Sequence, residues 1–132
     1  MILGFDPGRD KCGVAIIGKD NTLHYHQVLL ASEVTNTITA LCRQFGIERV
    51  VIGDQTTSKL WTEKLKEILP ASVAIATVNE RNSSLEARDR YWQMYPPRGI
   101  FRLIPVTMRM PPRPIDDIVA ILLIERYLKS KA

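Results

Sequence analysis

The stretch that decides how this chain folds is its start, residues 1–18, MILGFDPGRDKCGVAIIG. An apolar run ends abruptly at Asp6, with Pro7 and Gly8 directly behind it, and a second apolar run begins at Cys12. Two short apolar runs joined by a turn containing Pro and Gly predict antiparallel strands over 2–5 and 12–17. A carboxylate at the end of a buried strand is costly unless a partner offsets it. Asp6 therefore calls for a partner elsewhere in the chain.

Working outward, Lys19-Asp20-Asn21 reads as a turn, and residues 22–30 alternate enough to form a third strand. The connections are too short for a parallel crossover, so these three strands form an antiparallel meander. Ser32 offers an N-cap to a helix carrying Val34, Ile38, Leu41, Cys42 and Phe45, ended by Gly46. Residues 50–52 form a buried strand running into Gly53-Asp54. Thr57 or Ser58 caps a helix with Leu60, Trp61, Leu65, Ile68 and Leu69, stopped by Pro70. A fifth strand over 73–78 ends at Asn79-Glu80-Arg81, and Ser83 or Ser84 caps a helix near 85–94, terminated by Pro96-Pro97. A proline-rich loop spans 95–114, and Pro114 with Asp116 and Asp117 opens the last helix. This succession predicts an α/β fold with a mixed five-stranded sheet in the order 3-2-1-4-5 and helices on both faces. Right-handed crossovers lay the fourth strand beside the first, in parallel, so Asp6 and Asp54 end side by side.

The chain has 132 residues, 45% of them apolar, which fits one domain over 1–132 with a sizeable core. Its longest apolar run, 118–124, is far too short to span a membrane. Cys12 and Cys42 sit among apolar neighbours without metal-ligand spacing, and read as reduced thiols of a cytoplasmic protein. No apolar face is clearly left over to specify an oligomer. The net charge of +4 is unevenly spread, because no acid falls between Asp89 and Asp116 while Arg90, Arg98, Arg102, Arg109 and Arg113 do. An acid-free arginine stretch suits nucleic-acid phosphates, and it equally suits a solvated loop.

Asp6, Asp54 and Glu80 each close a predicted strand, and Asp116 opens a helix. Ligand crevices in such sheets lie outside the carboxyl ends of the strands. Carboxylates converging there repel one another unless cations lie between them, and oxygen ligands favour Mg²⁺ or Mn²⁺. Paired ions of this kind clamp a phosphodiester during in-line displacement. A metal is thus the expected partner of Asp6, with Asp54, Glu80 and Asp116 completing the set and Asp117 a weaker fifth. Singly, each acid has a structural alternative. Asp6 could cap its turn, Asp116 and Asp117 could favour the helix dipole, and Glu80 could pair with Arg81 or Arg88. Arg9 and Lys11 stand where they could hold a phosphate. His24 and His26 share one face of a strand, an ordinary surface pair with no third ligand near in sequence. Trp61 and Trp92 read as core, whereas Tyr91 and Tyr95, beside the arginine loop, are candidates for base stacking.

Three segments also carry a resemblance: ILGFDPGRDKCGVAIIG at the start, VNER with SSLEA after it, and IDDIVAILLIERYL at the end. They resemble the YqgF family, Holliday-junction-resolvase-like nucleases with an RNase H-like fold associated with processing of pre-16S rRNA ends. The resemblance runs over nearly the whole chain and implies metal-dependent cleavage of RNA or branched DNA. It places the family's acids at Asp6, Glu80 and Asp116. The chain departs from the family where its acid-Glu-Arg motif reads Asn79-Glu80-Arg81, and where its Gly-Leu-Pro segment reads Gly53-Asp54-Gln55. The latter is closer to the acid-Gln step of RuvC-type resolvases. Sugar kinases and actin-like ATPases share the opening strand and Asp-x-Gly, but need two such domains to enclose a nucleotide. A non-catalytic nucleic-acid-binding module on the same fold is the remaining alternative.

Overall fold

The computed structural model describes residues 1–55, 57–105 and 110–131. Strands β1 (Ile2–Asp6), β2 (Lys11–Ile17) and β3 (Leu23–Leu30) are followed by helix α1 (Val34–Gln44) and strand β4 (Arg49–Gly53). Helix α2 (Ser58–Ile68), strand β5 (Ala74–Val78) and helices α3 (Ser83–Met94) and α4 (Asp116–Lys131) complete the order. The sheet runs β3-β2-β1-β4-β5, antiparallel across the first three strands and parallel from β1 through β4 to β5. That is the mixed five-stranded arrangement expected from the succession of elements.

Side chains alternate between the faces of the sheet, and the two faces carry different cores. Leu3, Phe5, Val14, Ile16, Val50 and Ile52 point to the face covered by α1 and α2, where the Phe5 and Trp61 rings meet edge-on at 5.2 Å. On the other face α4 lies across β1 and β2, with α3 outside it. Helix α4 is buried nearly all round from Asp117 to Ile124, as its continuous apolar run requires of a central helix. Its close approach depends on two glycines. A methyl group at Gly4 would meet the Ala120 carbonyl, and one at Gly13 would meet the Asp116 carbonyl. Because backbone cannot swing aside as a side chain can, Gly13→Ala is expected to destabilise the protein by about 2 kcal/mol. Thermal melting of the variant checks this.

Several boundaries differ from the sequence reading. Ser32 caps nothing: a 3₁₀ turn, Ala31–Glu33, precedes α1, and the Glu33 carboxylate accepts the Leu30 N–H at 3.0 Å. Helix α3 begins at Ser83, behind Asn82 in the left-handed region at φ 61°. The loop after α3 contains a further 3₁₀ turn, Gly99–Leu103. A register shift between Ile16 and Ile17 breaks the alternation of β3. His24 and His26 therefore do not act as a pair: the His24 ring lies 6.3 Å from Phe45, while His26 reaches α4. Cys12 and Cys42 are free thiols, and no helix among the described residues is long and apolar enough to cross a membrane.

Candidate functional site

Parallel pairing of β1 with β4 and of β4 with β5 sets their carboxyl ends side by side. Phe5 pairs with Ile52, and Gly53 with Val78, so Asp6, Asp54 and Glu80 emerge at one end of the sheet. Asp6 also faces Gly13 across the β1–β2 ladder, and it is on Gly13 that the Asp116 backbone rests. The missing side chain at Gly13 is thus what lets the start of α4 descend to Asp6.

The electrostatics follow from this crowding. Burial pushes the Asp6 carboxyl from 3.8 up to about 8, with the charges of Glu80 and Asp116 adding to the shift. Burial likewise lifts Glu80 to about 7, reinforced by Asp54 and opposed by Arg126. Asp116 is raised by burial and by Asp117, while Lys11 pulls it back. Glu80 is only 5% exposed, its side chain packs against Gly53, and its Oε1 is buried with no hydrogen-bond partner. A buried, unpaired carboxylate oxygen costs free energy that a proton or a cation would offset.

The remaining candidates divide. Asp54 is exposed and accepts the Glu80 backbone N–H at 3.2 Å, so it orients the Glu80 turn. It borders a cleft of about 500 Å³ that reaches Glu80, Arg81, Ser83 and Ser84. Asp117 does not join the cluster. It is 2% exposed, with Oδ2 2.6 Å from His26 Nδ1 and Oδ1 3.0 Å from Arg113 Nη1, so both its oxygens are engaged away from Asp6. Among the described residues, no three His, Cys, Asp or Glu side chains stand ready-made to hold a metal ion.

Of the basic residues, Arg9 and Lys11 are exposed in and beside the β1–β2 turn, and Lys11 is the one near Asp116. Arg98 and Arg102 are exposed on the loop after α3. Arg113 is not a free arm: Asp117 holds it, and its guanidinium lies 5.3 Å and 5.6 Å from the Tyr91 and Tyr95 ring centres. Arg90 is committed to Glu125 through two bonds of 3.0 and 2.8 Å. Arg109 lies outside the described residues. Tyr91, at 7% exposure, is part of the core and unavailable for stacking, whereas Tyr95 is exposed. Trp61 and Trp92 are buried as expected.

Sequence reasoning missed the supports of the site. Arg126 donates to the Asn79 carbonyl at 2.6 Å and pairs with Glu86 at 3.0 Å, pinning the turn that carries Glu80. His26 and Asp117 meet from opposite ends of the chain, a pairing with no local signal. The glycines did leave one, since Gly4 and Gly13 interrupt otherwise apolar strands where another backbone comes close.

No family model matches this sequence, and no curated protein matches it. Among solved structures, RuvC from Thermus thermophilus is similar over 92% of this chain and 88% of its own, at 15% identity and a TM-score of 0.49. A candidate sugar kinase from Cytophaga hutchinsonii is similar over 67% of this chain, at 13% identity and a TM-score of 0.47. This chain spans 38% of that protein's length.

Proposed function

We propose that this chain is a divalent-metal-dependent nuclease, hydrolysing phosphodiester bonds of structured nucleic acid with Mg²⁺ or Mn²⁺. The observation that carries the proposal is the buried carboxylate group at the strand ends, with Glu80 Oε1 unpartnered and Asp6 displaced furthest from its ordinary value. Asp6, Glu80 and Asp116 would hold the cation, with Asp54 fixing the Glu80 turn from the rim. When bound, the cation supplies Lewis-acid polarisation of the phosphoryl oxygen and a more acidic water. The chain's own residues do the rest. Lys11 offsets the charge beside Asp116 and can meet a phosphate oxygen, as can Arg9 on the same turn. Arg98 and Arg102 extend the basic surface along the nucleic-acid backbone.

Together with the resemblance carried by the start, the VNER segment and the last helix, this makes the chain a divergent YqgF-type protein. Residues 1–132 are then one nuclease domain of the cytoplasm, acting on pre-16S rRNA ends or on Holliday-junction-like substrates. The second reading, a nucleic-acid-binding module without catalysis, is favoured by the departures from the family motifs at Asn79 and at Gly53-Asp54-Gln55.

One experiment separates the two. Single-stranded RNA, duplex, junction and pre-rRNA-like substrates are incubated with Mg²⁺ or Mn²⁺, and binding is titrated at several salt concentrations. Metal-dependent cleavage supports the nuclease, and salt-sensitive binding without cleavage supports the module. Replacing both Arg98 and Arg102 with Ala is expected to weaken binding by about tenfold and to flatten its salt slope by about two. Unchanged affinity in that double variant would remove the loop from the interface.

A further inference from the structure

Where β5 ends, the turn Asn79-Glu80-Arg81-Asn82 stands between two hollows. One is the cleft of about 500 Å³ that reaches Asp54 and Glu80. The other, of about 470 Å³, is bounded by Thr77 on β5 and by Arg126 and Ser130 on α4. Asn79, Arg81 and Asn82 line both, so they form a wall that the two share. The hollows differ in charge. Two carboxylates line the first, whereas among the described residues two arginines and no acidic side chain line the second.

Those arginines are not equivalent. Arg126 gives N–H groups to the Asn79 carbonyl at 2.6 Å and to Glu86 at 3.0 Å, so its head is fixed and its charge has a partner. Arg81 is held only at its base. Its backbone N–H donates to Asn79 Oδ1 at 2.7 Å, and Asn82 behind it takes the left-handed conformation at φ 61°. The Arg81 side chain is exposed and forms no ion pair with the described residues. An unpaired guanidinium on a fixed stem, beside an acid-free hollow, is matched by a phosphate, whose oxygens accept its forked N–H groups.

We infer that this second hollow is a subsite for a phosphodiester flanking the one at the carboxylates, with Arg81 as its principal contact. The inference rests on the nuclease reading above. What places the strand here is the shared wall, because a backbone leaving the carboxylate cleft across this turn passes Arg81 into the second hollow. The sheet order adds to this: Arg9 and Lys11 stand on the β2 side of the carboxylates and Arg81 on the β5 side. Cations on both flanks offset the repulsion that a polyanion meets at Asp54 and Glu80.

The test titrates a fluorescein-labelled RNA hairpin and a labelled four-way DNA junction by anisotropy, in EDTA and at several salt concentrations. Arg81→Ala is expected to bind its preferred probe about fivefold more weakly than wild type, with a salt slope shallower by about one. Asn79→Asp keeps the acceptor for the Arg81 N–H but puts an anion on the shared wall, and should weaken binding about as much. Lys129→Ala removes an exposed charge of α4 outside the hollow and should change affinity less than twofold. With Mg²⁺, Arg81→Ala should also raise KM about fivefold. Its melting temperature should stay within about 2 °C of wild type, because no partner is lost. Unchanged affinity and KM in Arg81→Ala overturn the subsite and leave the nuclease reading standing. So does an equal loss in Lys129→Ala, which marks a diffuse field. If the wild-type protein binds neither probe and cleaves neither with Mg²⁺, nucleic-acid recognition itself fails and the subsite with it.

Discussion

Asp6→Asn is expected to reduce metal-dependent cleavage by at least about a thousandfold while making the metal-free protein more stable. The two effects have one cause. Asp6 lies where Glu80 and Asp116 converge, and its carboxyl is pushed up to about 8 by burial first and by those neighbours second. Asparagine keeps the shape of the side chain but cannot supply the anionic oxygen that a divalent ion requires. Each 1.4 kcal/mol removed from transition-state stabilisation is tenfold in rate, and metal catalysis contributes several. The stability effect has a definite sign. Between pH 4 and 8 the folded state keeps a proton on Asp6 that the unfolded chain has released, so wild-type stability falls as pH rises through this window. Near pH 4 the folded carboxyl is neutral and the substitution should be nearly silent. At pH 8, in EDTA, the variant should melt about 5 °C or more above wild type, reflecting a relief on the order of a few kcal/mol. Glu80, raised to about 7, keeps a residual pH slope in the variant. Wild-type cleavage rates in Asp6→Asn, or earlier melting at pH 8, would make Asp6 a structural cap and end the nuclease reading.

The second large effect is expected one residue past the cluster. Asp117→Ala should destabilise the protein by about 3 kcal/mol, or about 10 °C in melting temperature at pH 7. The Asp117 carboxylate is 2% exposed and serves two cationic or polar heads from distant segments, His26 on β3 and Arg113 before α4. Its loss strands both and unties the start of α4 from the sheet. Because His26 and Arg113 are themselves partly solvated, the cost falls at the lower end for a broken buried pair. Asp117→Asn, which still accepts from Arg113, should cost less than half as much. A melting point within about 2 °C of wild type for the alanine variant would show that the contact contributes nothing net.

The topology of this protein was legible because it is written locally. Period-two apolar runs, short connections between the first three strands and helix-length connections after them leave essentially one mixed sheet, and handed crossovers then place β4 beside β1. The strand-end positions of Asp6, Asp54 and Glu80 followed from the same facts. Turn chemistry was less legible, since Ser32, Ser83 and Ser84 are all plausible caps in sequence. The chain instead uses Glu33 reaching back to Leu30, and a left-handed Asn82.

What only the tertiary structure decided is the division of labour between neighbours. Asp116 and Asp117 are equivalent acids in sequence, but successive helical side chains point about 100° apart. The seat of α4 on Gly4 and Gly13 then leaves Asp116 near Asp6 and turns Asp117 toward β3. Arg113 reads as one more phosphate-seeking arginine, yet a buried carboxylate four residues on and two tyrosine rings claim it. Tyr91 reads as available for stacking, yet the packing of α3 against α4 buries it. Sequence determined which residues lie at the carboxyl ends of the parallel strands, because strand and helix periodicity are local. Which of them converge on Asp6, which hold the frame and which stay in solvent was decided by contacts spanning up to 91 residues, and these exist only once the helix is seated.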